Sequence, residues 1–392
     1  LTMTPYRLFA VALMLALASA CASDSSTDPC DPDLDLSEEE RYRCERDPDS
    51  EEIALATAIA HRYMEEHPPE TELFDWTSGV LMFALTELYR VTEDPKLRDY
   101  YKAYLDHHID LGYDMFWSDS CPPALTALAL LREGEDDPAY RKVVDDVLDY
   151  LETVPRTDEG GIWHNGPTAG VAAPGIWLDS LFMFGMVLNR EGDEFENDDA
   201  LTLMEEQLGV FKSVLQSDQG LMVHADDWIL DFDTDIYWAR GNGWVVASLA
   251  EYLRVRQARG ETDESALDMF DRIVAGALAT QDESGMWWTV TNRPAEGDNY
   301  LETSAPALFA YGLARGYRYG PLGETERDAA KRAMAGVQDR IVLDDQERPI
   351  VTRISGGTEP GTFEFYVGIE EIDDLNYGVG AVILGLIETS GL

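Results

Sequence analysis

Past residue 50 the chain alternates between stretches apolar on one face and stretches apolar nearly all round. Tyr140-Arg141-Lys142-Val143-Val144-Asp145-Asp146-Val147-Leu148 is of the first kind, with charges opposite its valines. Gly79–Leu85, Ala124–Leu130 and Tyr377–Gly385 are of the second kind and rich in small residues. The periodicity predicts helices near 51–66, 78–91, 95–110, 122–133, 137–152, 177–190, 198–216, 243–255, 263–280, 304–318, 324–341 and 375–388. A helix apolar all round is enclosed by other helices, whereas an amphipathic one keeps a wet face.

Six enclosed helices alternating with six half-exposed ones predict an all-α fold, an (α/α)6 barrel of six helical hairpins. The unit recurs at intervals of roughly 45 to 70 residues, as a closing helical repeat would. An open α-solenoid is the competing architecture and predicts more regular repeats. The irregularity here is confined to one class of loop. Turns from enclosed to half-exposed helices are mostly short, as at Thr92-Glu93-Asp94-Pro95 and Gly260-Glu261-Thr262-Asp263. Loops entering the enclosed helices are long and aromatic, and they gather at one end of the barrel. Helix N-termini point to the same end and add positive partial charge. That end is the expected active face.

Composition adds a compartment and removes some functions. The 29 Lys+Arg against 76 Asp+Glu leave a net charge of −47 over 392 residues. Phosphate-backbone binding needs a basic patch, so the balance argues against nucleic acid as a partner. At the N-terminus Arg7, the apolar run Leu8–Ala18 and small residues leading into Cys21 read as an export signal. Ala18-Ser19-Ala20-Cys21 resembles a bacterial lipobox, which implies a lipoprotein-type signal over 1–21 with lipidation at Cys21. Ala22 after that cysteine favours an outer-membrane lipoprotein, the alternative being a secreted or periplasmic protein; membrane contact would be through the lipid alone. Residues 22–50 read as an acidic flexible tether in which Cys30 and Cys44 pair, leaving Cys121 as a buried thiol. Residues 51–392 are expected to form one (α/α)6-barrel catalytic domain.

The loops of the expected active face hold Asp75, Asp119, Asp179, Asp226 and Asp227, His164 and His224, Arg240, and many tryptophans. Sugar C–H faces stack on aromatic rings while hydroxyls need polar partners, so the inventory describes a carbohydrate cleft. Neither His nor Cys spacing suggests a zinc site, and no metal or organic cofactor is expected. Within Gly175–Met183, Asp179 stands between Trp177 and an apolar run. It reads either as a helix N-cap or as an acid whose charged form is disfavoured by its surroundings. Arg240-Gly241-Asn242-Gly243-Trp244 reads as a tight turn with Asn242 as N-cap, which leaves Arg240 and Trp244 free to reach a ligand.

Trp238-Ala239-Arg240-Gly241-Asn242-Gly243-Trp244 resembles the hallmark of unsaturated rhamnogalacturonyl and unsaturated glucuronyl hydrolases, glycoside hydrolase families 105 and 88. Further pieces match in order: Gly160–His164, Trp177–Met183, Gly220–His224, Gly285–Trp288, Asn299–Ser304 and the Asn376–Gly380 segment. The resemblance covers about residues 70–390 and implies an (α/α)6 barrel. It also implies release of a terminal C4=C5 unsaturated uronic acid from lyase-generated oligosaccharides, by hydration of the enol ether. By position it makes Asp179 the catalytic acid/base and Asp119 the second active-site aspartate. It places Arg240, Trp244, His224 and His164 on the sugar, and Trp177 and Trp288 are also expected to bind substrate.

The chain departs from the family pattern near the sugar subsites. Asn165 stands where a Lys commonly follows the Trp-His pair. Pro167–Gly175 is richer in Ala and Gly than the usual run, and His224 is followed by Ala225-Asp226-Asp227. Two other readings remain open. One is an inverting (α/α)6 glycosidase on saturated glycosides, using Asp119 and Asp179 about 6.5–9.5 Å apart. The other is a non-catalytic surface carbohydrate-binding lipoprotein, which would not need Asp179.

Overall fold

The structure is a computed structural model that describes residue 30 and residues 34–167, 175–226 and 230–392. Cys21 with the whole export signal, residues 22–29 and 31–33 of the tether, Asp227 and most of Pro167–Gly175 lie outside the described residues.

The half-exposed helices begin where the sequence offers caps. They are α2 (Glu51–Glu66), α4 (Pro95–Leu111), α6 (Pro138–Thr153), α9 (Asp198–Leu215), α11 (Glu264–Thr280) and α13 (Glu324–Gln338). Ser50, Asp94, Asp137, Asn197 and Asp263 turn side-chain oxygens onto their first free N–H groups. Pro95 and Pro138, lacking an N–H, open two of them at no loss. The enclosed helices are α3 (Trp76–Thr92), α5 (Ala124–Arg132), α7 (Ser180–Met183) continued by α8 (Gly185–Glu194), α10 (Ala239–Ala258), α12 (Ser304–Tyr319) and α15 (Asn376–Thr389). In α12 every residue from Ser304 to Gly316 is buried, and in α15 every residue from Tyr377 to Thr389.

The ring is closed. The helices α3, α5, α8, α10 and α12 pack in succession, and α15 packs on both α12 and α3. The outer helices sit on its flanks, so the open solenoid is excluded and the (α/α)6 barrel stands.

The same tight turn follows three outer helices. Gly160, Gly220 and Gly285 have φ of +94°, +88° and +85°. Their N–H groups bond back to Thr157, Ser217 and Asp282. A side chain at Gly220 or Gly285 would also meet the carbonyl oxygen of Arg272 or Arg332 at 2.0 or 2.2 Å, so glycine is needed for conformation and for space alike.

Three features differ from the expectation. First, the tether ends earlier than residue 50. Ser37 and Glu40 form a capping box that opens α1 (Glu38–Cys44), which packs on α3. The Tyr42 ring lies between the guanidinium groups of Arg46 and Arg90, at 3.5 and 3.7 Å, and its hydroxyl donates to Glu87 at 2.8 Å. Arg46, 0% exposed, pairs with Glu388 at 2.6 Å. Residues 37–50 thus plate the end of the barrel where the inner helices finish, and Cys44 is bridged to Cys30 as expected.

Second, the inner-helix ends there carry arginines. Arg90, Arg132, Arg190 and Arg315 meet Glu87, Glu194, Glu251 and Glu388 in one buried network. Cations suit helix C-termini, and each buried charge has a partner. Third, the expected 324–341 helix stops at Gln338, and an excursion follows it. The excursion contains the hairpin β3 (Ile341–Leu343) with β4 (Pro349–Val351). It also holds β5 (Ile354–Ser355) paired to β6 (Glu371–Ile372), with α14 (Phe363–Val367) between them. It lies across the active face.

Candidate active site

A two-residue ribbon builds the centre of the site. In it β1 (Ile176–Trp177) runs antiparallel to β2 (Ala225–Asp226), and the Leu178 N–H donates to the His224 carbonyl at 2.9 Å. The ribbon sets Asp179 beside His224, whose Nε2 lies 3.2 Å from Asp179 Oδ2. The N-cap reading of Asp179 is overturned. It stands before the single turn α7, but its side chain accepts no capping bond. Its other oxygen, Oδ1, is buried with no hydrogen-bond partner in a residue 6% exposed. A buried, unbonded carboxyl oxygen is costly for stability, and such costs collect where chemistry needs them.

His164 reaches the same place from the loop after α6. Its imidazole stacks on Trp177 and its Nδ1 lies 2.9 Å from Ser180 Oγ. Burial depresses it to about 4, so the ring is neutral near pH 7. Its backbone carbonyl accepts from Ser118 N–H at 2.9 Å, which fixes the turn that carries Asp119. His164 Nε2 stands 3.7 Å from Asp119 Oδ2, beyond hydrogen-bond reach, and a neutral ring makes no ion pair there. Burial first, then the charges of Asp179 and Asp75, push the Asp119 carboxyl well above its usual range. Asp119 and Asp179 share the mouth of the barrel, and the charge of Asp179 adds to the push on Asp119.

A cavity of about 500 Å³ opens over these groups, with Trp76, Trp117, Trp177, Trp238 and Trp244 among its walls. Trp244 is 1% exposed and packed on Phe182, ring centroids 4.4 Å apart. A larger cavity of about 750 Å³ lies at the opposite end, in the arginine–glutamate network. It holds none of Asp119, Asp179, His164 or His224.

Of the expected ligand residues, His164, Trp177, Arg240 and Trp244 line the cavity, while His224 and Trp288 do not. Arg240 lines the cavity, but its guanidinium donates to the carbonyls of Ser355 and Gly356, both at 2.7 Å, and to Thr358 Oγ1 at 2.9 Å. Its two terminal nitrogens therefore clamp the excursion, while Nε is buried without a hydrogen-bond partner. Trp288 lies away from the cavity and donates its Nε1–H to Asp282 at 3.3 Å. Asn242 is not an N-cap: α10 starts three residues earlier, and the Asn242 amide bridges Met222 N–H and carbonyl. Asp75 caps α3 by accepting from Thr77 and Ser78, and Asp226 stands in the ribbon. Asn165 lines the cavity at the position where a lysine is common. Sequence reasoning missed Ser180, Glu359, Phe365 and Tyr366. The cluster Phe363-Glu364-Phe365-Tyr366 was the available signal, since aromatics in a stretch without helical period need a reason to be there.

Paired carboxyl groups among tryptophans at the mouth of an (α/α)6 barrel define a glycoside hydrolase. The family model described as Glycosyl Hydrolase Family 88 matches residues 54–391, and the chain belongs to that family. Unsaturated rhamnogalacturonyl hydrolase YesR of Bacillus subtilis (strain 168) is 28% identical over 293 residues, covering 73% of this chain and 80% of that one. A family 105 glycoside hydrolase from C. acetobutylicum ATCC 824 superposes with a TM-score of 0.77 at 22% identity, over 86% of this chain and 99% of the other. The unsaturated glucuronyl hydrolase of Bacillus sp. GL1 gives a TM-score of 0.67 at 20% identity, over 86% and 95%. These two show the barrel.

Proposed function

We propose that this glycoside hydrolase removes the terminal C4=C5 unsaturated uronic acid from oligosaccharides left by polysaccharide lyases. The observation that carries the reading is Asp179 Oδ1, a buried carboxyl oxygen without a partner in a residue that lines the tryptophan-walled cavity. Protonated, Asp179 gives its proton to C4 of the enol ether, and the cation that forms is shared between C5 and the ring oxygen. Water adds at C5 and returns a proton to the carboxylate. The C5 hemiketal opens to a ketone, and C1, now a hemiacetal, expels the sugar chain as an alcohol. Protonating a double bond requires one well-placed acid, which suits a site whose second carboxyl, Asp119, is kept from ionising by burial. The test is incubation with unsaturated oligosaccharides from several uronic-acid polymers, following loss of absorbance by the conjugated double bond. Loss with the wild type and none with Asp179→Asn supports the reading; cleavage of saturated glycosides alone would replace it with the inverting mechanism.

Export to an oxidising compartment with a lipid on Cys21 is part of the same proposal. The Cys30–Cys44 bridge supports it, since such bonds persist outside the cytosol. Residues 22–29 would then span at most roughly 28 Å, and the enzyme would work close to its membrane. Mass spectrometry of the mature N-terminus tests this.

A further inference from the structure

The mechanism just proposed leaves open which Asp179 oxygen carries the proton, and the excursion before α15 supplies an answer. Tyr366, on α14, is 2% exposed and its hydroxyl lies 2.7 Å from His224 Nδ1. The opposite ring nitrogen, Nε2, faces Asp179 Oδ2 at 3.2 Å. The His224 ring is held between these contacts by stacking on Trp238, centroids 4.5 Å apart. The three residues come from three parts of the chain and form one line from phenol to carboxyl.

The direction of that line follows from hydrogen-bond supply. A buried phenol proton needs an acceptor. Among the described residues, Nδ1 is the only side-chain partner of the Tyr366 hydroxyl. The hydroxyl therefore donates to Nδ1, and the neutral imidazole carries its proton on Nε2. Nε2–H then donates to Asp179 Oδ2. An oxygen accepting that bond is the wrong one to hold the acidic proton, which is left to Oδ1.

We propose that Tyr366 is a positioning residue that fixes the His224 tautomer and thereby assigns the catalytic proton to Asp179 Oδ1. The inference rests on the proposed role of Asp179 as acid. Were the tautomer reversed, Nε2 would accept the acidic proton from Asp179 and hold it away from C4. The placement of Tyr366 depends in turn on the excursion: Asp233 takes the Phe363 N–H at 2.7 Å, and Arg240 clamps residues 355–358.

The test joins a spectroscopic and a kinetic measurement. In 15N spectra of the wild type, with His224 assigned through His224→Gln, the expected pattern is a protonated Nε2 and an unprotonated Nδ1. Tyr366→Phe keeps the ring and removes the hydroxyl. It is expected to mix the two tautomers and to lower kcat on the order of tenfold, with KM within about twofold of wild type. A protonated Nδ1 in the wild type overturns the proposal, whatever the variant does. So does a Tyr366→Phe enzyme with unchanged kcat, or with its loss expressed in KM. A wild type that turns over no unsaturated oligosaccharide would sink the function proposed above, while the tautomer reading would still stand or fall by its spectrum.

Discussion

The His164 imidazole lies flat on the Trp177 indole, ring centroids 4.1 Å apart and planes 12° from parallel. The stack buries a histidine without an acidic hydrogen-bond partner, which is why the ring stays neutral. The unfolded chain, with an ordinary histidine near 6.5, binds a proton that the native state refuses until about pH 4. Stability therefore rises with pH across that window and falls on acidification, by about 3 kcal/mol at pH 4. Urea unfolding at pH 7 and pH 4.5 should show a smaller acid loss in His164→Asn than in the wild type.

Asp119 gives the opposite sign. Its folded pKa is raised, so the native state holds the proton more tightly, and stability is lost as pH rises through the folded value. Asp119→Asn removes a carboxyl whose ionisation beside Asp179 is opposed by burial. We expect a higher Tm at pH 8, by a few degrees for about 1 kcal/mol, together with a large loss of activity. Calorimetry and the absorbance assay on one preparation check both halves.

Arg240→Met should act through the excursion rather than through sugar affinity alone. It removes the guanidinium bonds to the carbonyls of Ser355 and Gly356, leaving them only the hydroxyls of Tyr377 and Thr358, and loosens the segment that carries Tyr366. Stability should fall by about 2–3 kcal/mol, and amide exchange should quicken in 354–372 while α3 and α10 keep their protection.

Arg46→Met probes the far end of the barrel. Removing one partner of a buried ion pair costs about 3–5 kcal/mol, although Arg315 would still hold Glu388 at 2.6 Å, so we expect the lower figure. Because the substitution lies at the end opposite the catalytic groups, kcat and KM should not change. Urea unfolding with steady-state kinetics separates the two.

The barrel was legible because its twelve helices announce themselves twice, by period and by how much of each circumference is apolar. Asp179, Asp119, His164 and His224 were legible from motif order. What escaped has physical causes. The helix Glu38–Cys44 is too short to stand alone and exists through Arg46, Tyr42 and their distant partners, although the Ser37–Glu40 box was there to read. The excursion consists of strands of two or three residues and a five-residue helix, below the length at which periodicity speaks. Arg240 looked free because nothing in Trp238–Trp244 shows that carbonyls 115 and 116 positions onward will reach it. Trp288 was expected at the substrate, yet it serves a turn, and its neighbour Trp287 is buried and donates to the Ala277 carbonyl.

The central claim is that Asp179 protonates an unsaturated uronide, and its most direct measurement is hydration in deuterated water. The account predicts that the wild type consumes the conjugated absorbance and leaves one deuterium on C4 of the released uronic acid, seen by NMR, while Asp179→Asn at equal fold stability leaves the double bond intact. Release of the sugar chain with the double bond preserved, or undiminished turnover by Asp179→Asn, would contradict it.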